Sequence, residues 1–154
     1  QIITNIGGTS ADMGNAVFVA AMLELPTMAF FTKMSEKINC GTLIKFSILM
    51  FCVKHALTYF ATNMIMIYLA QVCQMFAYAL FVPASVYYVN EKIAVADRVK
   101  GQSLVTTSMT LSGVFANFAG GIMLDALGVG HVLLAGVILS IVGAVIVILT
   151  TEKV

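Results

Sequence analysis

Two ionisable side chains lie inside long apolar stretches of the sequence. Glu24 lies near the middle of the stretch 13–32, and Lys54 lies within the stretch 42–61. A carboxylate at the centre of a membrane-spanning helix costs about 2.5–3.5 kcal/mol on insertion scales, so Glu24 must face protein or water. The depths of the two residues differ by about one helical turn, which makes an ion pair or a shared polar cavity feasible.

Ionisable groups inside a membrane mark substrate and proton pathways. We therefore expect Glu24 and Lys54 to bind a substrate, and Glu24 to couple protons. Two structural interpretations stay open: a buried pair that fixes the register of two helices, or a Lys54 side chain that extends its ammonium to the membrane interface.

A polar stripe accompanies these charges on the third apolar stretch, residues 64–89. Gln71, Gln74 and Tyr78 are spaced i, i+3 and i+7, so they lie on one face of a helix. Such a stripe lines a cavity or bonds to neighbouring helices, and we expect it to line a cavity. On the fourth stretch, the amide of Asn117 is suited either to a ligand or to another helix. The expected substrate-binding residues are Glu24, Lys54, Gln71, Gln74, Tyr78 and Asn117.

The composition places these side chains in a membrane protein. Of the 154 residues, 60% are hydrophobic and only 10% are charged, whereas a soluble domain carries about 25% charged residues. A net charge of +1 lacks the basic surface that nucleic acid requires, so no nucleic-acid partner is expected. The sequence lacks the alternation of apolar and polar residues that is typical of the strands of a membrane β-barrel. The sequence predicts an all-α polytopic bundle with five membrane-spanning helices, at residues 13–32, 42–61, 64–89, 101–124 and 132–150.

The basic residues support this number of helices and predict their orientation. Of the 8 lysine and arginine residues, all except Lys54 fall in the stretches 33–45, 92–100 and 152–154, which five helices place on one side of the membrane. We call this the basic side. By the positive-inside rule it faces the cytoplasm and carries the C-terminus. The sequence begins with Gln1 and has no charged region before an apolar stretch, so we expect no signal peptide. An odd number of helices also leads us to expect a fragment, in which residues 1–6 end a lost helix.

No motif predicts enzyme chemistry or a bound cofactor. A disulfide framework needs an even number of cysteines, and the sequence has three, Cys40, Cys52 and Cys73. Their spacing is not that of a metal site, and the two histidines lie too far apart in the sequence to form one. Nucleotide-binding, zinc-hydrolase and serine-hydrolase signatures are absent from the sequence. We therefore expect no enzyme activity, no metal and no cofactor. A membrane-embedded enzyme that uses Glu24 and His55 as acid and base is the alternative from that class.

Two pairs of segments carry a family resemblance. They are 7–14 (GGTSADMG) with 23–26 (LELP), and 97–102 (DRVKGQ) with 120–128 (GGIMLDALG). Their order and topology resemble the C-terminal half of a major facilitator superfamily transporter, from the end of its seventh helix to the end of its twelfth. The first pair is similar to the seventh-to-eighth helix region of bacterial proton-linked sugar and phenylpropionate permeases. The second pair is similar to the eleventh helix and its flanks.

The resemblance implies roles for three residues. Glu24 resembles the eighth-helix acid that binds substrate, and Lys54 lies near the position of a ninth-helix basic group. In galactoside-type symporters a His-Met-Phe-Glu run in the tenth helix serves proton coupling and substrate contact. The similar run here is QMFA at 74–77, which implies substrate hydrogen bonding for Gln74. Because this run lacks the carboxylate, proton coupling would fall to Glu24 or to an N-terminal half.

The resemblance implies that residues 1–154 are the C-terminal transmembrane half of a secondary transporter, which works by alternating access with an N-terminal half absent from this sequence. The expected solute is small and hydrophilic, such as a sugar, a nucleoside or an organic acid. It would be carried together with protons across the plasma (inner) membrane of a bacterium. An efflux transporter for drugs or lipophilic cations is the close alternative, because one buried carboxylate and 10 methionines suit such ligands. A membrane scaffold that transports nothing is a further alternative.

The predicted orientation is testable by labelling from outside the cell. In a background without the native cysteines, Lys37→Cys and Lys100→Cys lie on the basic side, so a membrane-impermeant thiol reagent should label them only after the membrane is permeabilised. His131→Cys lies in a turn on the opposite side and serves as the control that intact cells should label. Labelling of Lys37→Cys or Lys100→Cys in intact cells would contradict the orientation.

Overall fold

The computed structural model describes residues 2–152 of the chain. That part contains six α-helices and no strand, which confirms the all-α prediction. In chain order the elements are α1 (Ile2–Asn5), α2 (Ser10–Ser35), α3 (Cys40–Tyr59), α4 (Met64–Lys92), a 3-10 turn (Val95–Asp97), α5 (Arg98–Leu127) and α6 (Val129–Thr150). The five helices from α2 to α6 are long and apolar enough to cross a membrane. Lys153, which the count for the basic side includes, lies outside the described residues.

Side-chain hydrogen bonds set where two of the helices begin. At α2, the Thr9 hydroxyl accepts from the Asp12 backbone N–H at 3.3 Å, and the Asp12 carboxylate accepts from the Thr9 N–H at 2.7 Å. This capping box satisfies two N–H groups that a helix start leaves free. Asn63 caps α4, since its side chain accepts from the Met66 N–H at 3.1 Å. The predicted break between the second and third spans, at residues 62–63, is therefore confirmed.

Four helices extend beyond the predicted apolar stretches, and α3 (Cys40–Tyr59) lies two residues earlier than its prediction, 42–61. The predictions 13–32 and 101–124 are each three residues short at both ends, because α2 is Ser10–Ser35 and α5 is Arg98–Leu127. The added turns contain polar residues that suit the headgroup region, which thickens the bilayer by about 10–15 Å beyond its hydrocarbon core. Between α5 and α6 the connection is Gly128 alone. Its φ of +81° lies in the left-handed region that glycine adopts without strain.

The tightest packing lies toward the basic side, between α2, α3 and α4. Its buried core consists of Phe31, Leu43, Ile44, Leu80 and Ala84. Phe31 also meets Tyr87 edge to face, with ring centroids 5.3 Å apart. At the end of α4, Lys92 forms an ion pair with Glu152. The hydrogen bond that Lys92 donates to the Glu152 carboxylate lowers the pKa of that carboxyl. These contacts tie the end of α4 to the chain that follows α6.

The last two helices differ in how they join the bundle. α6 packs on α3, where the Cys52 thiol donates to the Ser140 carbonyl oxygen at 3.2 Å. Gly136 lies at the same interface, where a Cβ would be in ordinary van der Waals contact with the His55 ring, at 3.5 Å. Such small residues are typical of interfaces between membrane helices. α5, by contrast, has no buried residue within the described part of the chain, so its faces are available to lipid or protein.

The core between α2, α3 and α4 should carry a measurable share of the stability. Leu80 is 0% exposed, so Leu80→Ala leaves a cavity, and we expect the free energy of unfolding to fall by about 2 kcal/mol. This value lies at the low end of the range for a buried leucine. Lipid is as apolar as leucine, so the substitution loses mainly packing contacts and little hydrophobic free energy. Leu149→Ala is the matched control, since Leu149 is 78% exposed. Unfolding by denaturant in detergent micelles measures both variants, and equal losses would contradict the position of the core.

Candidate functional site

Three polar side chains from three helices meet inside the bundle. The Lys54 ammonium on α3 donates a hydrogen bond to Gln74 Oε1 on α4 at 2.5 Å. Gln74 Nε2 in turn donates to Glu24 Oε1 on α2 at 3.3 Å. We call Glu24, Lys54 and Gln74 the polar cluster. Each of the three is partly buried, so protein groups replace a share of the water around both charges.

Helix geometry places the polar cluster near the middle of the bundle's long axis. Glu24 lies about two residues from the midpoint of α2, and Gln74 lies about four residues from the midpoint of α4. Lys54 lies about five residues from the midpoint of α3, displaced away from the basic side as Gln74 is. At 1.5 Å per residue these offsets are about 2–7 Å, which is small against a hydrocarbon core of about 30 Å.

The amide of Gln74 compensates both charges without direct contact between them. Lys54 can only donate and an ionised Glu24 can only accept, so a single orientation of the amide satisfies both partners. No salt bridge joins Glu24 to Lys54 within residues 2–152. The formal charges of the polar cluster therefore sum to zero, and the amide dipole of Gln74 lies between them. Reduced contact with water strengthens each of these interactions.

Gln71 lies beside a cavity of about 390 Å³ on the side of the cluster away from the basic side. Thr58 supplies the other polar side chain of the lining, and the remaining residues are apolar. The Thr58 hydroxyl donates to the Lys54 carbonyl oxygen at 2.9 Å, so it is already satisfied within α3. Gln71 and Gln74 are about one helical turn apart on α4. The cavity therefore borders the polar cluster without containing it.

The structure does not bring the last two predicted site residues into the polar cluster. Tyr78 lies about 40° around α4 from Gln74, and its side chain is 39% exposed. Asn117 is exposed on α5, where its amide donates to the Gly113 carbonyl oxygen of the same helix at 2.9 Å. Both residues remain accessible to a molecule that approaches the bundle from outside.

His55 points away from the cluster although it follows Lys54 directly. Its Nδ1 donates to the Phe51 carbonyl oxygen at 2.8 Å, one turn earlier on α3. Among the described residues, no group of three or more histidine, cysteine, aspartate or glutamate side chains could hold a metal ion.

Sequence reasoning assigned Gln74 a contact with substrate but missed its bridging position. One signal was present, because Gln74 and Lys54 lie at similar distances from the midpoints of adjacent antiparallel helices. At similar depth, an amide can accept from an ammonium and donate to a carboxylate at the same time.

Comparison with known proteins identifies one family. The sequence profile described as Major Facilitator Superfamily matches residues 1–154. No curated protein and no solved structure matches the chain.

The bridging amide should hold α2, α3 and α4 together. Gln74→Leu keeps a similar volume but removes both hydrogen bonds, so we expect the free energy of unfolding to fall by about 2 kcal/mol. Gln71→Leu is the matched control one turn away, and we expect a change below about 0.5 kcal/mol for it. Thermal and denaturant unfolding in detergent micelles measures both. Equal effects of the two substitutions would show that the bridge does not stabilise the bundle.

Proposed function

The chain belongs to the Major Facilitator Superfamily, a family of multi-pass membrane transporters. From this premise we propose that residues 1–154 are the C-terminal transmembrane half of a secondary transporter for a small hydrophilic solute. The observation that carries the proposal is the polar cluster, in which Gln74 bridges Lys54 and Glu24 near the middle of the bundle. Polar groups in the middle of a membrane transporter are typical of its substrate site.

The bridge suggests how a solute is held. Gln74 accepts a hydrogen bond from Lys54 and donates one to Glu24, and a hydroxyl group offers the same two functions. A solute rich in hydroxyl groups can therefore take over the partners of the amide one by one, without leaving either charge unpaired. This exchange favours a sugar or a nucleoside. The formal charge of zero in the cluster makes an organic acid the less suitable of the hydrophilic solutes, because an anion would leave Glu24 facing a like charge.

The same charges argue against an efflux transporter for lipophilic cations. Such a site typically offers an acidic group without a competing cation, whereas here the Lys54 ammonium shares an amide with Glu24. A lipophilic cation that approached Glu24 would meet the repulsion of Lys54 at a site partly shielded from water.

Proton coupling is assigned to Glu24. When the carboxylate takes up a proton, its hydrogen bond from the Gln74 N–H is no longer charge-assisted and weakens, and this N–H is freed to donate to the solute. Protonation and solute binding would thus act on the same hydrogen bond, which links the two events. Lys54 keeps its partner in either state because it needs only an acceptor.

Transport would follow alternating access, in which this half rocks against an N-terminal half around a site near the midplane. We place the protein in the plasma (inner) membrane of a bacterium, with the basic side and the C-terminus in the cytoplasm. The partners would be the solute, the proton, the lipid bilayer and the N-terminal half of the same protein.

The test is solute uptake by the full-length protein in proteoliposomes. Under an imposed pH gradient, Glu24→Gln should reduce accumulation of a labelled sugar or nucleoside by at least about tenfold, because a glutamine cannot take up and release the proton that drives accumulation. Exchange of the solute at equal pH on both sides should persist, since exchange needs no net movement of protons. Glu36→Gln, in the exposed loop before α3, is the matched control and should leave both activities unchanged.

Two outcomes would overturn this proposal. Full accumulation by Glu24→Gln would remove the residue from proton coupling. Preferential uptake of a lipophilic phosphonium ion by the unmodified protein would favour the efflux alternative.

A further inference from the structure

A second polar surface lies at the basic side, between the end of α4 and the first turns of α5. It is a groove of about 500 Å³ whose polar lining comprises Asn90, Arg98, Gln102, Ser103, Thr106 and Thr107. We call it the α4–α5 groove. The Gln102 amide closes one wall, because its Nε2 donates to the Val86 carbonyl oxygen at 2.8 Å and to Asn90 Oδ1 at 3.4 Å.

Arg98 brings a positive charge to this groove that is not neutralised by its neighbours. The Arg98 Nε is buried and makes no hydrogen bond, and no salt bridge involves Arg98 in the part of the chain that the structure describes. The other cations nearby are paired. Lys100 contacts Asp97 at 2.8 Å, and Lys92 contacts Glu152. An unpaired guanidinium beside several hydroxyl groups is suited to an oxyanion such as a phosphate.

The groove continues along α5 and becomes apolar. A second groove of about 270 Å³ shares Thr106 and Thr107 with the first and ends on Leu111 and Val114. From Arg98 to Val114 the rise along the helix is about 24 Å. The lining therefore changes from charged, through hydroxyl-bearing, to aliphatic over the distance from the membrane interface into the hydrocarbon core.

The α4–α5 groove is separate from the polar cluster. At 100° per residue, Val86 and Asn90 lie about 120° and 160° around α4 from Gln74, so the groove and the cluster occupy different faces of that helix. Residues of the polar cluster take no part in either groove along α5.

We propose that the α4–α5 groove binds an anionic phospholipid, with the phosphate at Arg98 and an acyl chain along α5 toward Leu111 and Val114. Ser103, Thr106 and Thr107 would donate hydrogen bonds to the phosphate and glycerol oxygens. A lipid fits better than a soluble phosphate ester, because a headgroup alone would occupy only the polar end of the groove and would make no use of its aliphatic end at Leu111 and Val114. The unpaired charge of Arg98 favours a lipid with a net negative charge over a zwitterionic one.

The test compares lipid retention by variants of the full-length protein. After purification in detergent with equal amounts of phosphatidylglycerol and phosphatidylcholine, native mass spectrometry counts the lipids that remain bound. We expect the unmodified protein to retain phosphatidylglycerol preferentially. Arg98→Gln should reduce this retention by about tenfold through loss of a charge-assisted contact. Lys100→Gln is the matched control, because Lys100 is highly exposed and pairs with Asp97, and it should change retention by less than about twofold.

A second variant keeps the test decisive if Arg98→Gln does not fold. The double substitution Thr106→Val with Thr107→Val preserves volume and charge but removes two donors, and it should lower retention of phosphatidylglycerol by at least about threefold.

Three outcomes would overturn the proposal. Equal losses for Arg98→Gln and Lys100→Gln would mean that lipid is attracted only by general surface charge. Displacement of phosphatidylglycerol by soluble glycerol phosphate at comparable concentration would identify a soluble phosphate ester as the ligand. Retention unchanged by Arg98→Gln and by the double substitution would show that the groove does not hold lipid, as expected if the N-terminal half covers it.

Discussion

The bilayer core contains no water to hydrogen-bond a polar side chain, and this constraint governs the arrangement of α2, α3 and α4. Lys54 and Glu24 meet it through a shared partner, the amide of Gln74. Since each hydrogen bond joins a different pair of helices, their rotations and vertical positions are fixed together. A shift of α4 by one residue would rotate Gln74 by about 100° and leave both charges without compensation.

Helix positions were predictable because they depend on local properties of the chain. The lengths of the apolar stretches predicted five spans. The turn at residues 62–63 was predictable because residues 55–90 carry no formal charge, and this stretch is too long to be one membrane-spanning helix. The contacts of the site were harder to predict. Helix length fixes the depth of a residue but leaves its rotation to tertiary packing. Asn117 illustrates the difference, because its side-chain amide donates to the Gly113 carbonyl oxygen of α5 itself and makes no hydrogen bond to another of the described helices.

The buried core and the polar cluster lie at different levels of the same three helices. Phe31, Leu43 and Leu80 pack near the basic side, and Gln74 lies about 9 Å along α4 from Leu80. The close-packed level resists deformation, whereas the three side chains of the polar cluster are only partly buried. This division gives the site a firm base without filling the space that a solute would need. The exposed Tyr78 lies between the two levels of α4 and joins neither.

A bridged pair of charges behaves differently from a direct ion pair at such a site. Removing one partner of a buried ion pair costs about 3–5 kcal/mol, since the other charge is left uncompensated. With Gln74 between Lys54 and Glu24, an incoming hydroxyl group replaces one hydrogen bond by another, and each such exchange changes the net stability by only about 1 kcal/mol. For the proposed transport function, this difference matters because the site must release its solute as readily as it takes it up. Lys92 and Glu152 contact each other directly at the exposed basic side, where water would compensate either charge if the pair opened.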